Sequence, residues 1–507
     1  MHNPYIEFLR RYGPVPASDN LYDETIQSSA RRLGIRPIEV PLEELDTLVD
    51  NFQGSAPHSV ILTGTAGDGK TFLCRQIWSR LGGEPKAWER CDKIHTLPLS
   101  AAGKELLIIK DLSELTPQQK DQYLPQMAAA ISGADSQTVY LLAANDGQLV
   151  ASLQRAAEVD GANAEQLKKL VEELLVTDRQ QAEGYALKLF NLSRNHAPSL
   201  LDKILDEIVQ HNDWEHCTEC PHHRDGPARC PIYENRMRLM PSEDNRFRLR
   251  LRALLELAEA NRLHLPIRHL LMLSVNILLG NEDAGGGLMT CKQAIECIAD
   301  ATTAKASPYS NVFGSNLAAK KRQQHLCFSV LDSFGIGRET SNTVDDLLVY
   351  GRDSNILLTA YQQLVGDDTY YGASKYYETQ RGRYVEGFRE NGDGAKLLDL
   401  LPAQRQRLFF TAAQESNGKF SPWMLTVYHF AGDFLAMRTA LEQTQSVAVH
   451  LAALITGLNR VFTGMMVRNP IPFWSLHQGG MAAAVSVLYW KRKSRSKTMR
   501  VSAAKSA

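Results

Sequence analysis

The sequence contains no uninterrupted apolar run long enough to span a membrane, which takes about 20 residues. The nearest approach, residues 447–467, is interrupted by His450, Asn459 and Arg460. The first residues, MHNPY, show neither a basic start nor an apolar stretch, so no secretion signal is visible. We therefore expect a cytoplasmic protein that makes no contact with a membrane.

The chain also lacks net charge of either sign, because 56 Lys and Arg residues face 57 Asp and Glu residues. This balance argues against a protein that binds nucleic acid through its overall charge, so any DNA contact has to come from a local patch. One such patch is a basic tail that begins at Lys491 and contains no acidic residue. The tail favours contact with phosphate backbones. The alternatives are a solvated terminus without a role and a shifted reading frame.

A glycine-rich run, GTAGDGKT at residues 64–71, directly follows the apolar stretch 59–62. This is the residue pattern of a phosphate-binding loop, in which glycines let the backbone curl around phosphates. Lys70 is placed to reach the β- and γ-phosphates, and Thr71 to offer its hydroxyl to Mg²⁺. The predicted ATP-binding glycines are Gly64, Gly67 and Gly69. The pattern predicts ATP binding with magnesium.

A second apolar run, residues 105–111, ends in Asp111. A buried parallel strand there delivers this carboxylate to the magnesium beside the loop. The alternative is that Asp111 caps the following helix. Glu114 is a candidate to polarise the attacking water, and the alternative is an ordinary acidic residue in the first turn of that helix.

A third apolar run, residues 138–144, is followed by Asn145. An amide at the tip of such a strand can orient water or contact the γ-phosphate, so Asn145 is a candidate sensor. The alternative is a turn residue. Further strands near 93–98 and 186–190 suggest a parallel sheet between helices, as in AAA+ proteins.

Two arginines extend the predicted ATP site. Arg268 follows Pro266 in an apolar helix that resembles the helical lid of AAA+ proteins, where an arginine can touch the γ-phosphate. Arg194 follows the last predicted strand, where it is placed to act on the nucleotide of a neighbouring copy in a homo-oligomer. For both residues, an exposed arginine on a helix surface is the alternative.

Three of the eight cysteines cluster at Cys217, Cys220 and Cys230. Their Cys-x-x-Cys spacing, with a third cysteine after a short loop, predicts a structural zinc knuckle. Its fourth ligand is taken as His223, with His222 and His216 as alternatives, and three unligated thiols are the alternative to the metal. The other five cysteines are isolated in the sequence, and we expect most of them to be small core residues: Cys74, Cys91, Cys291, Cys297 and Cys327.

The length of 507 residues predicts more than one domain. The predicted fold is an α/β P-loop NTPase core with an AAA+-like parallel sheet, a zinc knuckle and a mostly α-helical C-terminal half. The predicted segments are an N-terminal helical segment (1–45), the NTPase core (46–212), the zinc knuckle (213–235), a helical lid (236–345) and a C-terminal helical domain with the basic tail (346–507).

Several motifs together resemble one family, the DptF-type ATPases of bacterial DNA-phosphorothioation restriction systems. The motifs lie at residues 64–71, 110–115, 144–149, 230–232, 311–314, 334–337, 339–342 and 457–464. The resemblance implies an ATPase of anti-phage defence that works with partner proteins, a helicase or a nuclease, against DNA that lacks a protective modification. The basic tail departs from this family.

The sequence thus predicts a Mg²⁺-dependent ATPase in which Lys70 holds the triphosphate, Asp111 holds magnesium, and Glu114 with Asn145 positions water. The alternative is a nucleotide-gated scaffold or signalling switch that recruits an effector with little turnover.

Overall fold

The computed structural model describes residues 2–14, 23–89, 92–160, 162–223, 229–387, 395–413 and 420–463. The chain divides into two compact units, Met1–Val427 and Tyr428–Ala507. The boundaries predicted within the first unit stay predictions, and the basic tail lies outside the described residues.

The first unit contains a sheet of five strands in the order β2-β3-β4-β1-β5. The strands are β1 (Ser59–Thr63), β2 (Ile94–Leu99), β3 (Lys104–Ile109), β4 (Thr138–Ala143) and β5 (Leu187–Asn191). The apolar runs predicted to be strands are therefore strands, and the α/β class is confirmed.

The sheet is mostly, but not wholly, parallel. Strand β1 lies between β4 and β5 and pairs in parallel with both, with Val60 opposite Leu141 and Lys188. Strand β3 pairs in parallel with β4. Strand β2 is the exception, because it forms an antiparallel hairpin with β3 at the sheet edge. The carboxyl ends of β1, β3, β4 and β5 consequently meet at one edge of the sheet.

Helices, joined by loops and short 3₁₀ turns, account for the rest of the described first unit. In chain order they are α1 (Pro4–Leu9), α2 (Asp23–Leu33), α3 (Glu44–Gln53), α4 (Lys70–Arg80), α5 (Pro85–Trp88), α6 (Pro117–Ser132), α7 (Asp146–Asp160), α8 (Ala162–Thr177), α9 (Ala197–Val209), α10 (Pro231–Leu239), α11 (Arg246–Ala260), α12 (Ile267–Leu279), α13 (Cys291–Ala299), α14 (Pro308–Asn311), α15 (Ala319–Gln324), α16 (Leu326–Asp332), α17 (Asn342–Tyr350), α18 (Leu358–Tyr361), α19 (Lys375–Val385) and α20 (Ala395–Thr411).

Successive side chains of β1 point to opposite faces of the sheet, and both faces are buried. Ile61 of β1 packs into a buried cluster with Leu142 of β4 and residues of α6, α7 and α8, such as Met127 and Val171. The neighbouring side chain Val60 is also fully buried and points to the opposite face. Because both faces are covered, β1 reads as a continuous apolar run in the sequence.

A helical body, residues 229–427, follows the sheet domain. Its long helix α20 packs against α11, α14 and α19, and α12 packs against α9 and α14. Beyond β5, the described residues contain one isolated strand bridge, between Gly280 and Leu288, and otherwise helices and loops. The prediction of a mostly helical C-terminal half is therefore confirmed.

The second unit contains two described helices, α21 (Ala431–Glu442) and α22 (Ala448–Thr463), which contact each other. Across the described parts of both units, no helix combines the length and apolar character that crossing a membrane requires.

Candidate functional site

A cavity of about 390 Å³, here called the loop cavity, opens at the carboxyl edge of the sheet. Of the residues predicted for the ATP site, all except Gly64 and Arg194 line it: Gly67, Gly69, Lys70, Thr71, Asp111, Glu114, Asn145 and Arg268. The residues come from four separate stretches of the chain. The fold therefore brings together side chains that the sequence analysis assigned one motif at a time.

The glycine-rich loop joins β1 to α4, and its backbone requires glycine. Gly64, Gly67 and Gly69 have φ angles of 137°, 95° and 86°, in the region that side chains disfavour. A Cβ atom at Gly67 would also lie 3.0 Å from the Cβ atom of Arg268. The loop thus leads directly into α4 and points the N-terminus of that helix toward the cavity, an arrangement that favours anions.

Lys70 begins α4 and is nearly buried, with 8% of its surface exposed. Its Nζ atom donates to the carbonyl oxygens of Thr65 at 2.6 Å and Gly64 at 3.3 Å. Burial lowers the pKa of the Lys70 ammonium, and nearby carboxylates, foremost Asp68 and Asp111, partly offset this effect. The lysine is therefore held against its own loop.

Asp68, which the sequence analysis did not single out, ties the loop to two distant segments. Its carboxylate accepts hydrogen bonds from the Thr65 amide at 2.6 Å and the Ser193 hydroxyl at 2.8 Å, and it lies 2.7 Å from His264 Nε2. Burial alone raises the pKa of Asp68, but the hydrogen bond and charge of His264, helped by Ser193, outweigh it and hold that pKa below its ordinary value. The loop is thus attached to the end of β5 and to the segment before α12.

Asp111 follows β3 and lines the loop cavity. Its Oδ1 atom also accepts from the Ser113 amide at 2.7 Å, so it caps the short 3₁₀ turn Leu112–Glu114. Glu114 ends this turn and lines the same cavity. Glu114 is an acidic residue in the first turn of this 3₁₀ helix and does not belong to α6, which begins only at Pro117.

Asn145 links β4 to α7 and lines the loop cavity. The next residue, Asp146, accepts a short hydrogen bond from the Thr63 hydroxyl at the end of β1. This bond fixes the end of β4 against the end of β1. Asn145 therefore lies beside the glycine-rich loop, in a turn that the bond between Thr63 and Asp146 holds in place.

Helix α12 forms one wall of the loop cavity. The backbone amide of Arg268 donates to the carbonyl of Gly67 at 3.1 Å, and Ile267 packs beside Gly69. Arg194 does not line this cavity. It lies on the 3₁₀ turn after β5, with 56% of its side chain exposed and its Nε atom 3.5 Å from Asp178.

One side of the loop cavity is apolar, which the sequence analysis did not foresee. It is lined by Tyr12, Ile26, Ile38, Val40, Leu42, Ile267 and Leu271. Most of these residues come from the N-terminal segment, far from the loop in sequence. The cavity thus has a charged part and an apolar part.

A smaller cavity of about 40 Å³, here called the cysteine cavity, contains the predicted zinc residues. Cys217, Cys220 and Cys230 line it together with all three candidate histidines, His216, His222 and His223. Among the residues that the structure describes, no group of three or more His, Cys, Asp or Glu side chains is arranged so that it could hold a metal ion. The zinc knuckle therefore stays a prediction; Cys91 and residues 224–228 lie outside the described residues.

Comparison with known proteins gave no match to a family model, to a curated protein or to a solved structure.

Proposed function

We propose that this chain binds ATP with magnesium and hydrolyses it, as a P-loop ATPase with an AAA+-like arrangement. The observation that carries the proposal is the loop cavity, where Lys70, Asp111, Glu114 and Asn145 meet a loop of glycines with positive φ at the carboxyl edge of a mostly parallel sheet. Ligands of such sheets bind at this edge.

Lys70 needs little movement to reach a phosphate. Its ammonium group contacts the carbonyls of Gly64 and Thr65, and both belong to the loop that would surround the phosphates. Exchanging neutral carbonyls for phosphate oxygens gives stronger, charge-assisted hydrogen bonds. The N-terminus of α4 adds a favourable dipole.

The Thr71 hydroxyl and the Asp111 carboxylate would hold magnesium, because both are hard oxygen donors and both line the cavity. Bound magnesium neutralises charge on the phosphates. Glu114 lies at the end of the 3₁₀ turn, before α6 begins, and Thr116 and Gln119 form the cap of α6. The Glu114 carboxylate therefore takes no part in that cap. We assign it to accepting a proton from the attacking water, with Asn145 orienting that water.

The apolar part of the cavity suits a nucleobase. Aliphatic side chains such as Ile38, Val40 and Leu271 offer dry surface, and the aromatic ring of Tyr12 lies among them. Ligand pockets typically combine such apolar surface with a few polar groups that fix orientation. Arg268, on the α12 wall, is a candidate contact for the γ-phosphate.

The biological setting follows from the sequence resemblance alone. On that basis we place the ATPase in an anti-phage or DNA restriction system, acting with a helicase or a nuclease and with DNA contact. Homo-oligomer formation, with Arg194 acting on a neighbour's nucleotide, is part of the same proposal and is supported by the exposure of Arg194.

A second candidate function is a nucleotide-gated switch with little turnover. It is favoured by the bonds that join the loop to α12, through Gly67 with Arg268, and to the segment before α12, through Asp68 with His264. Because α12 packs onto α9 and α14, a change at the loop reaches the helical body directly. In this alternative the ATP-bound form recruits an effector.

The deciding experiment measures ATP binding and phosphate release for the wild type and for Lys70→Ala, each with and without DNA. We expect the variant to lose turnover by roughly 10²–10³-fold with an unchanged melting temperature. Lys86→Ala, which alters an exposed lysine outside the loop cavity, is the matched control. Full activity in Lys70→Ala would remove the ATPase proposal.

A further inference from the structure

The cysteine cavity is lined by a fourth cysteine that the sequence spacing did not connect with the other three. Cys291 is the first residue of α13, and it lines the cavity together with Cys217, Cys220 and Cys230. Cys230 in turn is the residue that precedes α10, and α10 packs against α13. The packing of two helices therefore brings Cys291 to the knuckle from a distant part of the chain.

Hydrogen-bond donors are directed at the sulfur atoms of this cavity. The side-chain amide of Asn3 donates to Cys217 Sγ at 3.1 Å, and the backbone amide of Asn3 donates to Cys291 Sγ at 3.5 Å. Backbone amides of Ile232 and Tyr233 donate to Cys230. These hydrogen bonds oppose the rise in thiol pKa that burial causes at Cys217, Cys230 and Cys291.

The side chain of Asn3 is fixed in position by burial and by its own hydrogen bonds. It is only 4% exposed, its Oδ1 atom accepts from the Tyr5 amide at 2.8 Å, and its Nδ2 atom also donates to the Asp213 carbonyl at 3.2 Å. A single buried asparagine thus bonds two cysteines that lie far apart in sequence. Such outer partners orient metal ligands in known sites.

Two of the candidate histidines have other contacts. His223 packs its ring 4.3 Å from the ring of Tyr233. His216 is 54% exposed, and its Nε2 atom lies 3.9 Å from Asp213. Cys291, by contrast, shares with Cys217 a hydrogen-bond partner inside the cavity. Cys291 therefore fits the fourth position better than His216 or His223 does.

We infer that Cys291 is the fourth ligand of a four-cysteine structural zinc site completed by Cys217, Cys220 and Cys230. Zinc prefers four such ligands in closed structural sites. As the side chains stand, no group of three is arranged to hold a metal, so binding requires the thiols to turn about χ1 toward one point. The site would fasten the start of α13 and the N-terminal segment to the knuckle. It shares no lining residue with the loop cavity and does not depend on ATP hydrolysis.

The test is the zinc content of the full chain, purified without chelator. We expect about one zinc per wild-type chain and loss of that zinc in Cys291→Ser. Cys297→Ser is the matched control, because Cys297 lies on the same helix but bonds to Asn281 at 3.0 Å instead of lining the cavity. It should keep its zinc, as should the double variant His222→Ala with His223→Ala.

A second readout covers the case in which Cys291→Ser does not fold. The wild-type chain is loaded with Co²⁺, and the intensity of the sulfur-to-metal charge-transfer band reports how many thiolates bind. Intensity for four thiolates, unchanged in the double histidine variant, supports the inference. Intensity for three thiolates, zinc retained by folded Cys291→Ser, or a wild-type chain without metal would each overturn it.

Discussion

The loop cavity and the helical body enclose charged side chains in different ways. In the helical body, Arg238 donates to Asp368 through both terminal nitrogens at 3.0 Å and to Glu234 at 2.8 Å. Arg407 adds a contact to the same aspartate at 3.5 Å. In the loop cavity, Lys70 and Asp111 bond to backbone groups of adjacent turns while they line an open space.

The difference separates charges that hold the fold from charges that are available to a ligand. In the arginine cluster, Arg238, Asp368 and Arg407, the charges bond to one another inside the fold, and removing Asp368 leaves the buried Arg407 without the carboxylate that it contacts. Lys70 and Asp111 of the loop cavity bond to backbone groups beside an open space, so exchanging those bonds for bonds to a ligand leaves the fold intact. Charge alone therefore does not mark a functional site; a charged side chain that borders an open cavity is available to a ligand.

The largest effect is expected in the arginine cluster. Asp368→Asn keeps the shape of the side chain but removes the charge that Arg238 and Arg407 share. We expect the free energy of unfolding to fall by about 3–5 kcal/mol, as for other broken buried pairs. Urea unfolding followed by circular dichroism measures the change.

The control is an exposed pair. Arg338 and Asp332 lie 2.7 Å apart with 60% and 36% of their side chains exposed. Asp332→Asn should cost less than about 1 kcal/mol, because water screens such pairs. Equal losses in both variants would contradict the distinction drawn between the two regions.

A smaller effect, on turnover and not on stability, is expected at Glu114. Glu114→Gln removes the group that we assign to proton acceptance, and Asn145 and Lys70 remain in place. We expect turnover to fall roughly 10²-fold, about 2.7 kcal/mol in activation free energy, with ATP binding and the melting temperature unchanged. Phosphate release and fluorescent-nucleotide titration measure the two quantities separately.

Glu105→Gln is the matched control, since Glu105 lies at the opposite end of β3, away from the loop cavity. The variant should behave as the wild type. If Glu114→Gln leaves turnover unchanged, the catalytic assignment is wrong. If the wild-type chain shows no steady turnover but assembles when ATP is added, the switch is the better description.

The positions of the strands and most of the charged residues that line the loop cavity could be predicted from the sequence. Buried parallel strands are continuous apolar runs, and a polar residue at the end of such a run lies at the sheet edge. Asp111 and Asn145 could be found in this way. The antiparallel direction of β2 was not predicted, although the four residues that separate β2 from β3 are too few for the crossover that a parallel pair needs.

What the sequence did not reveal depends on contacts between distant segments. Asp68 occupies a variable position of the loop motif, and its partners Ser193 and His264 lie more than a hundred residues away. Cys291 likewise stands alone in the sequence and reaches the knuckle only because α10 packs against α13. Such residues become visible once helix packing is known.

The smallest of the expected effects concerns His269, on the helix that joins the two regions. His269 lies in the first turn of α12, directly after Arg268. Burial, with the positive charges of His325 and Arg268, lowers the pKa of His269 from 6.5 to about 4. Its Nδ1 atom is buried without a hydrogen-bond partner. The folded chain therefore holds this imidazole neutral.

The sign of the pH dependence follows from that depressed pKa. As pH falls below about 6.5, the unfolded chain binds a proton at His269 that the folded chain does not accept until the pH reaches about 4. The stability that the neutral His269 contributes is thus fully present above pH 6.5 and is lost as the pH falls from 6.5 to 4. The full shift corresponds to about 3 kcal/mol, which partial exposure of the ring reduces to roughly 1–2 kcal/mol.

We expect His269→Asn to show a smaller drop in urea midpoint from pH 7.5 to pH 5 than the wild type. His429→Asn, which changes an exposed histidine, should match the wild type. An equal drop in wild type and His269→Asn would mean that groups other than His269 cause the acid sensitivity.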